Sequence, residues 1–178
     1  LLLEVSIKVL PVPVAETTLR IPMSEVDALA AINRWAGQPL PITATTWVAG
    51  ELFVRLAGAD AAVKAAVPQV GAGNTAMATI AASDAPWAAL RDHTHDFFAG
   101  DAPLWRLALP ATTPALNLGA SLIDWGGGQR WLRGELDAER LRALAREHGG
   151  HATRFRGGDK NIATFQSLAP VALRLHQE

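Results

Sequence analysis

No cysteine occurs among the 178 residues, so disulfides and thiolate metal sites are excluded, and a reducing compartment is compatible with the composition. No charge of one sign dominates either. Sixteen Lys and Arg stand against 17 Asp and Glu for a formal net charge of -1, without the uniformly basic footprint of a nucleic-acid binder and without an acidic tail. Long hydrophobic runs are missing too: the opening stretch from Leu1 to Leu10 is interrupted by Glu4 and Lys8 and is too short to span a bilayer or act as a secretion signal. A cytoplasmic location is the expectation. An initiating Met is lacking at Leu1, in the middle of what reads as a strand, and Glu178 falls inside a helical pattern, so a piece of a longer protein is expected.

What is present is a 49% hydrophobic fraction, enough to fill the core of one generous domain or two small ones. "LEVSIKV" alternates like an edge strand and is stopped by Pro11 and Pro13. "TTLRI" reads as the next strand. Ser24 caps a helix carrying Val26, Leu29, Ile32 and Trp35, which Gly37 ends. Strands follow at Ile42 to Val48 and in "ELFVRLA", where Leu52, Val54 and Leu56 share a face, and then an Ala-rich helix up to Pro68. The small-residue stretch "VGAGNTAMATIAASDA" reads as a loop.

Beyond it, Pro86 opens a helix through "WAALRDHTHDFF", and Pro103 precedes the strand "LWRLAL", with Trp105, Leu107 and Leu109 on one face and Arg106 on the other. "SLIDW", "GGG" and "QRWLR" read as a hairpin. Asp137 caps an amphipathic helix that turns Leu141, Leu144, Ala145 and His148 inward; the strand "HATRFR", a loop and a last helix from about Ala169 complete the chain. The expected fold is α+β: an antiparallel sheet with helices on one face, ferredoxin-like, in two βαβ-type halves, the other face left for a partner.

His93 and His95 form a His-x-His flanked by Asp92 and Asp96. On a helix, residues two apart point roughly 200° from each other, whereas a helical metal pair needs i and i+4, so no metal site is assigned. "GGG" at 126–128 and "RGG" at 156–158 lack the strand-before, helix-after setting of a phosphate loop and read as turns. In "HATRFR", strict alternation puts Arg154 and Arg156 on one side, about 7 Å apart, where two guanidinium groups grip a carboxylate or phosphate. With Arg106 and Arg130 on neighbouring strands they would make a basic patch on one sheet face; the alternative is a solvated face paired with Asp124, Glu135 and Asp159.

Taken in order, "LLLEVSIKVLPVP", "RIPMSEVDALAAINRWAGQPLPITATTW", "FFAGDAPLWRLALPATTP", "IDWGGGQRWLRG" and "GGHATRFRGGDK" make the chain resemble, over essentially its whole length, the FAD-binding subunit of bacterial glycolate oxidase, in the FAD-linked oxidase family. The resemblance implies a membrane-peripheral complex of three subunits, two homologous flavin subunits and an iron–sulfur subunit, that oxidises glycolate to glyoxylate. It implies that FAD is bound mainly by an amino-terminal domain, and that a carboxy-terminal α+β cap domain covers the isoalloxazine side. On that reading residues 1–13 are the exit strand and linker of the flavin domain and residues 14–178 are the cap.

The cap's implied part in hydride transfer from a small 2-hydroxy acid is to orient the carboxylate and exclude water. Arg106, Arg130, Arg154 and Arg156 are the residues expected to face substrate or flavin, with Trp105 as packing and no catalytic base named. The His-rich metal and substrate motif expected in the partner flavin subunit's cap has no counterpart here, so catalysis by these 178 residues alone is not expected. The alternative is a free-standing ferredoxin-like module that binds a small anion or assembles through its sheet.

Overall fold

The computed structural model describes residues 4–7, 9, 11–82, 85–168 and 170–177. Strands and helices follow the sequence pattern through most of that length: β1 (Ala15–Pro22), α1 (Glu25–Ala36), β2 (Ile42–Val48), β3 (Glu51–Gly58), α2 (Asp60–Val70), β4 (Ala78–Ile80), α3 (Trp87–Arg91), β5 (Leu104–Ala108), β6 (Ser121–Asp124), β7 (Gln129–Arg133), α4 (Ala138–Glu147), β8 (His151–Arg156) and α5 (Pro170–Gln177). Local chemistry sets the helix starts. The Ser24 hydroxyl accepts the Asp27 N–H at the head of α1, and the Asp137 carboxylate accepts those of Glu139 and Arg140 at the head of α4.

Among the described residues the eight strands form one antiparallel sheet in the order β4-β1-β3-β2-β6-β7-β5-β8. That order contains the same arrangement twice. The unit β1-α1-β2-β3-α2-β4 lies in the ferredoxin-like order fourth, first, third, second, and β5 to β8 repeat it as β8-β5-β7-β6. In the second unit the segment 109–120 stands where the first unit has α1. The units meet second strand to second strand, through only two Cα pairs, Trp47 with Ile123 and Val48 with Leu122. The Thr46 hydroxyl donates to the Ile123 carbonyl at 3.1 Å beside this short seam.

Alternation along the strands sorts side chains onto two faces. On one face Leu19, Ile21, Leu52, Val54 and Leu56 pack under α1 and α2, and Trp105, Leu107 and Leu132 pack under α4. Trp105 is 1% exposed. Truncating a side chain in such a core, Leu132→Ala for example, costs about 2–5 kcal/mol. The opposite face carries a third cluster, Val48, Leu104, Leu122 and Trp131 with Leu90 and Phe98, and the short α3 lies across it. The Trp87 indole N–H donates to the Thr18 hydroxyl at 2.8 Å and anchors α3 there. α1, α2 and α4 thus share one face as expected, and α3 is a strap on the other.

Several local expectations are corrected. Residues 4–7, 9 and 11–13 form no strand and are exposed, because no strand of the described chain lies alongside them to satisfy an extended backbone; Leu1, Leu2, Leu3, Lys8 and Leu10 of that expected strand lie outside the described residues, as does Ala169 of the last helix. The small-residue loop contains β4, which pairs with the outer edge of β1. The helix expected through Phe98 ends at Arg91: His93 takes φ 54°, and a single 3-10 turn, Asp96–Phe98, follows. In α4 the buried positions are Ala138, Leu141, Arg142 and Ala145, with Leu144 and His148 only partly covered.

Candidate functional site

The four arginines expected to form one patch are divided between the two faces. Arg130 stands opposite Leu107 and Ile123 on the helix-covered face and is 2% exposed. Its guanidinium donates to the carbonyls of Gly127, Pro114 (2.6 Å) and Thr113, and burial pulls its pKa below the usual guanidinium range, against the opposing influence of Glu25. Arg154 stands opposite Trp105 on that same face and donates to the carbonyls of Asp159 and Ile162. These two side chains are staples: each holds an irregular segment, 109–120 or 157–168, against the sheet by satisfying carbonyls that no ladder reaches.

Arg156 does not join Arg154. A bulge in the β5–β8 ladder sets Arg156 opposite Leu104, whose side chain belongs to the other face, and its guanidinium donates to the Phe98 carbonyl. Strict alternation fails at that one extra residue, so the expected pair is not formed. Arg106, opposite Trp131 and Thr153, is half-buried on the strap-side face, 6.0 Å over the Phe155 ring. Sequence reasoning missed Arg142, a third staple that donates to the Ala163 carbonyl and lies 5.9 Å over Trp105. Its signal was present as an Arg one residue after Leu141 on the apolar side of α4.

The histidines have separate tasks. His93 stacks on Phe98 with ring centroids 4.4 Å apart and meets Trp131 edge-on at 5.1 Å and Phe155 at 5.3 Å. His95 instead accepts the Phe97 N–H on Nδ1 and caps the 3-10 turn. Among the described residues no group of three or more His, Asp or Glu side chains comes together as a metal site would require. The glycine runs serve the backbone. Trp125, Gly126 and Gly127 take φ values of 51°, 65° and 94°, and a Cβ on Gly127 would stand 2.9 Å from the Ala111 carbonyl oxygen.

Beside the seam the two units diverge and leave a cleft of about 1090 Å³. The outer edge of β2 before Thr46 has no partner strand, so Thr43, Ala44 and Thr45 line the opening, with Trp35 from α1, Trp87 and Leu90 from the strap, and Asp124, Trp125 and Gln129 from the β6–β7 connection. Burial pushes the Asp124 carboxyl up from the ordinary carboxylate range, and the Trp125 N–H bonded to it at 2.8 Å opposes that. The Thr45 hydroxyl is buried here without a hydrogen-bond partner among the described residues.

Sheet order, faces and cleft define an α+β fold of two ferredoxin-like units with a cleft between them. The chain is 38% identical to glycolate oxidase subunit GlcE of Escherichia coli (strain K12), over 99% of its own length and 48% of that protein's. The resemblance to the glycolate oxidase subunit read from the motifs is therefore borne out over 99% of the chain. The chain spans about half the length of the curated relative it matches. No family model matches the chain, and no solved structure does. Among the described residues no helix is long and apolar enough to cross a membrane.

Proposed function

We propose that the chain is the cap portion of a flavin subunit in a glycolate oxidase, a complex that converts glycolate to glyoxylate. The observation that carries this reading is the end-to-end 38% identity to the glycolate oxidase subunit. Residues 14–178 are the cap, and residues 1–13 lead from the amino-terminal domain that holds FAD. The exposed Val5, Ile7 and Val9 suit that role, since an alternating apolar segment with no partner strand among the described residues is suited to complete a neighbouring sheet.

The residues present fit a covering role better than a dinucleotide-holding one. The glycine runs at 126–128 and 157–158 answer backbone needs and make no phosphate cradle, whereas the strap-side face offers the exposed Phe155 ring, seated edge-on against the buried Trp131, beside the Arg106 guanidinium. Bound FAD supplies a hydride acceptor. Arg106 is the group on this face placed to orient the carboxylate of a 2-hydroxy acid, with Arg156 at its border, and the rings exclude water from the reacting carbon. Arg130 and Arg154 serve the reaction only by holding the fold.

The partners on this reading are a second flavin subunit and an iron–sulfur subunit, in a cytoplasmic assembly peripheral to the membrane. The test is co-expression of the full-length product with both subunits, followed by glycolate-dependent reduction of a dye. Activity that requires this chain supports the proposal; full activity of the other two subunits without it overturns it.

A further inference from the structure

We propose that the cleft between the two ferredoxin-like units binds a planar aromatic carboxylate, a ligand of different class from the two-carbon acid of the proposed reaction. The inference does not rest on the glycolate oxidase reading.

Size is the first argument. A cleft of about 1090 Å³ suits a multi-ring molecule and is far too large to recognise glycolate by shape. Trp125 is the second. It is 74% exposed at the rim, so folding gains little from its indole, yet it is held at φ 51°, where a bulky side chain is strained. Strain retained under an exposed indole points to a use outside the fold. The partly exposed Trp87 brings further indole surface to the same cleft, and such faces bind flat rings.

The polar groups choose the substituent. Arg55 lies 5.4 Å over the Trp87 ring and its Nε donates to the Thr43 hydroxyl at 3.0 Å, which fixes the guanidinium while its terminal amino groups make no hydrogen bond among the described residues. Arg91, also lining the cleft, is already engaged with Asp92 at 2.8 Å. Glu16 and Asp124 line it as well, but the Asp124 carboxyl accepts the Trp125 N–H. A cation beside aromatic faces fits a ring bearing one carboxylate.

The experiment is isothermal titration calorimetry of the full chain with 2-naphthoate, its neutral analogue 2-naphthalenemethanol, and glycolate. One-site binding of naphthoate is expected, with the alcohol weaker by about tenfold and glycolate silent at this site. Trp125→Ala and Arg55→Gln are each expected to weaken naphthoate by about tenfold. Trp125 is exposed, so its variant folds and decides the matter even if the Arg55 variant does not. No naphthoate binding, equal binding of the alcohol, or affinity unchanged by Trp125→Ala overturns the proposal. Because glycolate turnover by the complex is not measured, failure here leaves the glycolate oxidase reading where it was.

Discussion

Arg154 stands opposite Trp105 in the β5–β8 ladder, while Arg156, two residues along, stands opposite Leu104 on the other face of the sheet. That relationship sets Arg154 with the loop-holding arginines on the helix-covered face and Arg156 on the face that carries Arg106, and variants distinguish the two groups.

Arg130→Ala removes donors from the carbonyls of Gly127, Pro114 and Thr113 in a buried setting, and Arg154→Ala does the same for those of Asp159 and Ile162. Each is expected to cost about 2–4 kcal/mol in urea unfolding, whereas Arg106→Ala changes stability by no more than about 0.5 kcal/mol. In the reconstituted complex Arg106→Ala should raise the KM for glycolate by about tenfold. An Arg130 variant as stable as the parent, or an Arg106 variant with unchanged kinetics, contradicts the assignment.

Asp124 predicts a pH dependence with a definite sign. Burial raises its folded-state pKa above the ordinary 3.8, so between those two values the folded chain holds more protons than the unfolded one, and stability falls as pH rises through that window. Asp124→Asn keeps an oxygen for the Trp125 N–H and removes the titration. Urea midpoints measured from pH 3 to about 7 should therefore fall less with rising pH in the variant. Parallel curves for the two proteins would show that Asp124 contributes nothing to the slope.

The strap over the sheet rests on Trp87. Trp87→Phe deletes its hydrogen bond to Thr18 and weakens the contact with Arg55, for a cost of about 1 kcal/mol. Amide exchange should speed up selectively along 86–98. Faster exchange spread evenly over the sheet would mean that the strap does not open independently.

His93 contributes as a ring. His93→Ala is expected to cost about 1–2 kcal/mol through lost stacking on Phe98 and Trp131, and added Zn²⁺ should leave the Tm of the parent unchanged. A Zn²⁺-dependent rise in Tm that disappears in His95→Ala would contradict this and point to a metal site.

Much of this architecture was legible because its signals are local. Ser24 and Asp137 announce helix starts by their side-chain oxygens, and Leu52, Val54 and Leu56 announce a strand by alternation alone. β4 was illegible because three residues of Ala-Thr-Ile become a strand only when the β1 edge is there to pair with them. The site was harder for the same reason. Whether an arginine serves a ligand or a loop depends on where carbonyls such as Thr113 and Ile162 arrive in three dimensions, and one bulge between Leu104 and Trp105 was enough to split Arg154 from Arg156. The cleft has no sequence signal, since it arises where two strands, joined at Thr46 and Ile123 across 77 residues of chain, stop pairing before Thr46.

The most direct test of the central claim is the visible spectrum of the full-length product, purified with its partner subunits and titrated anaerobically with glycolate. The account predicts the absorbance of bound oxidised flavin, bleached as glycolate is added and diminished in sensitivity to glycolate by Arg106→Ala. A full-length product that carries no flavin, or flavin that glycolate never bleaches, would contradict it.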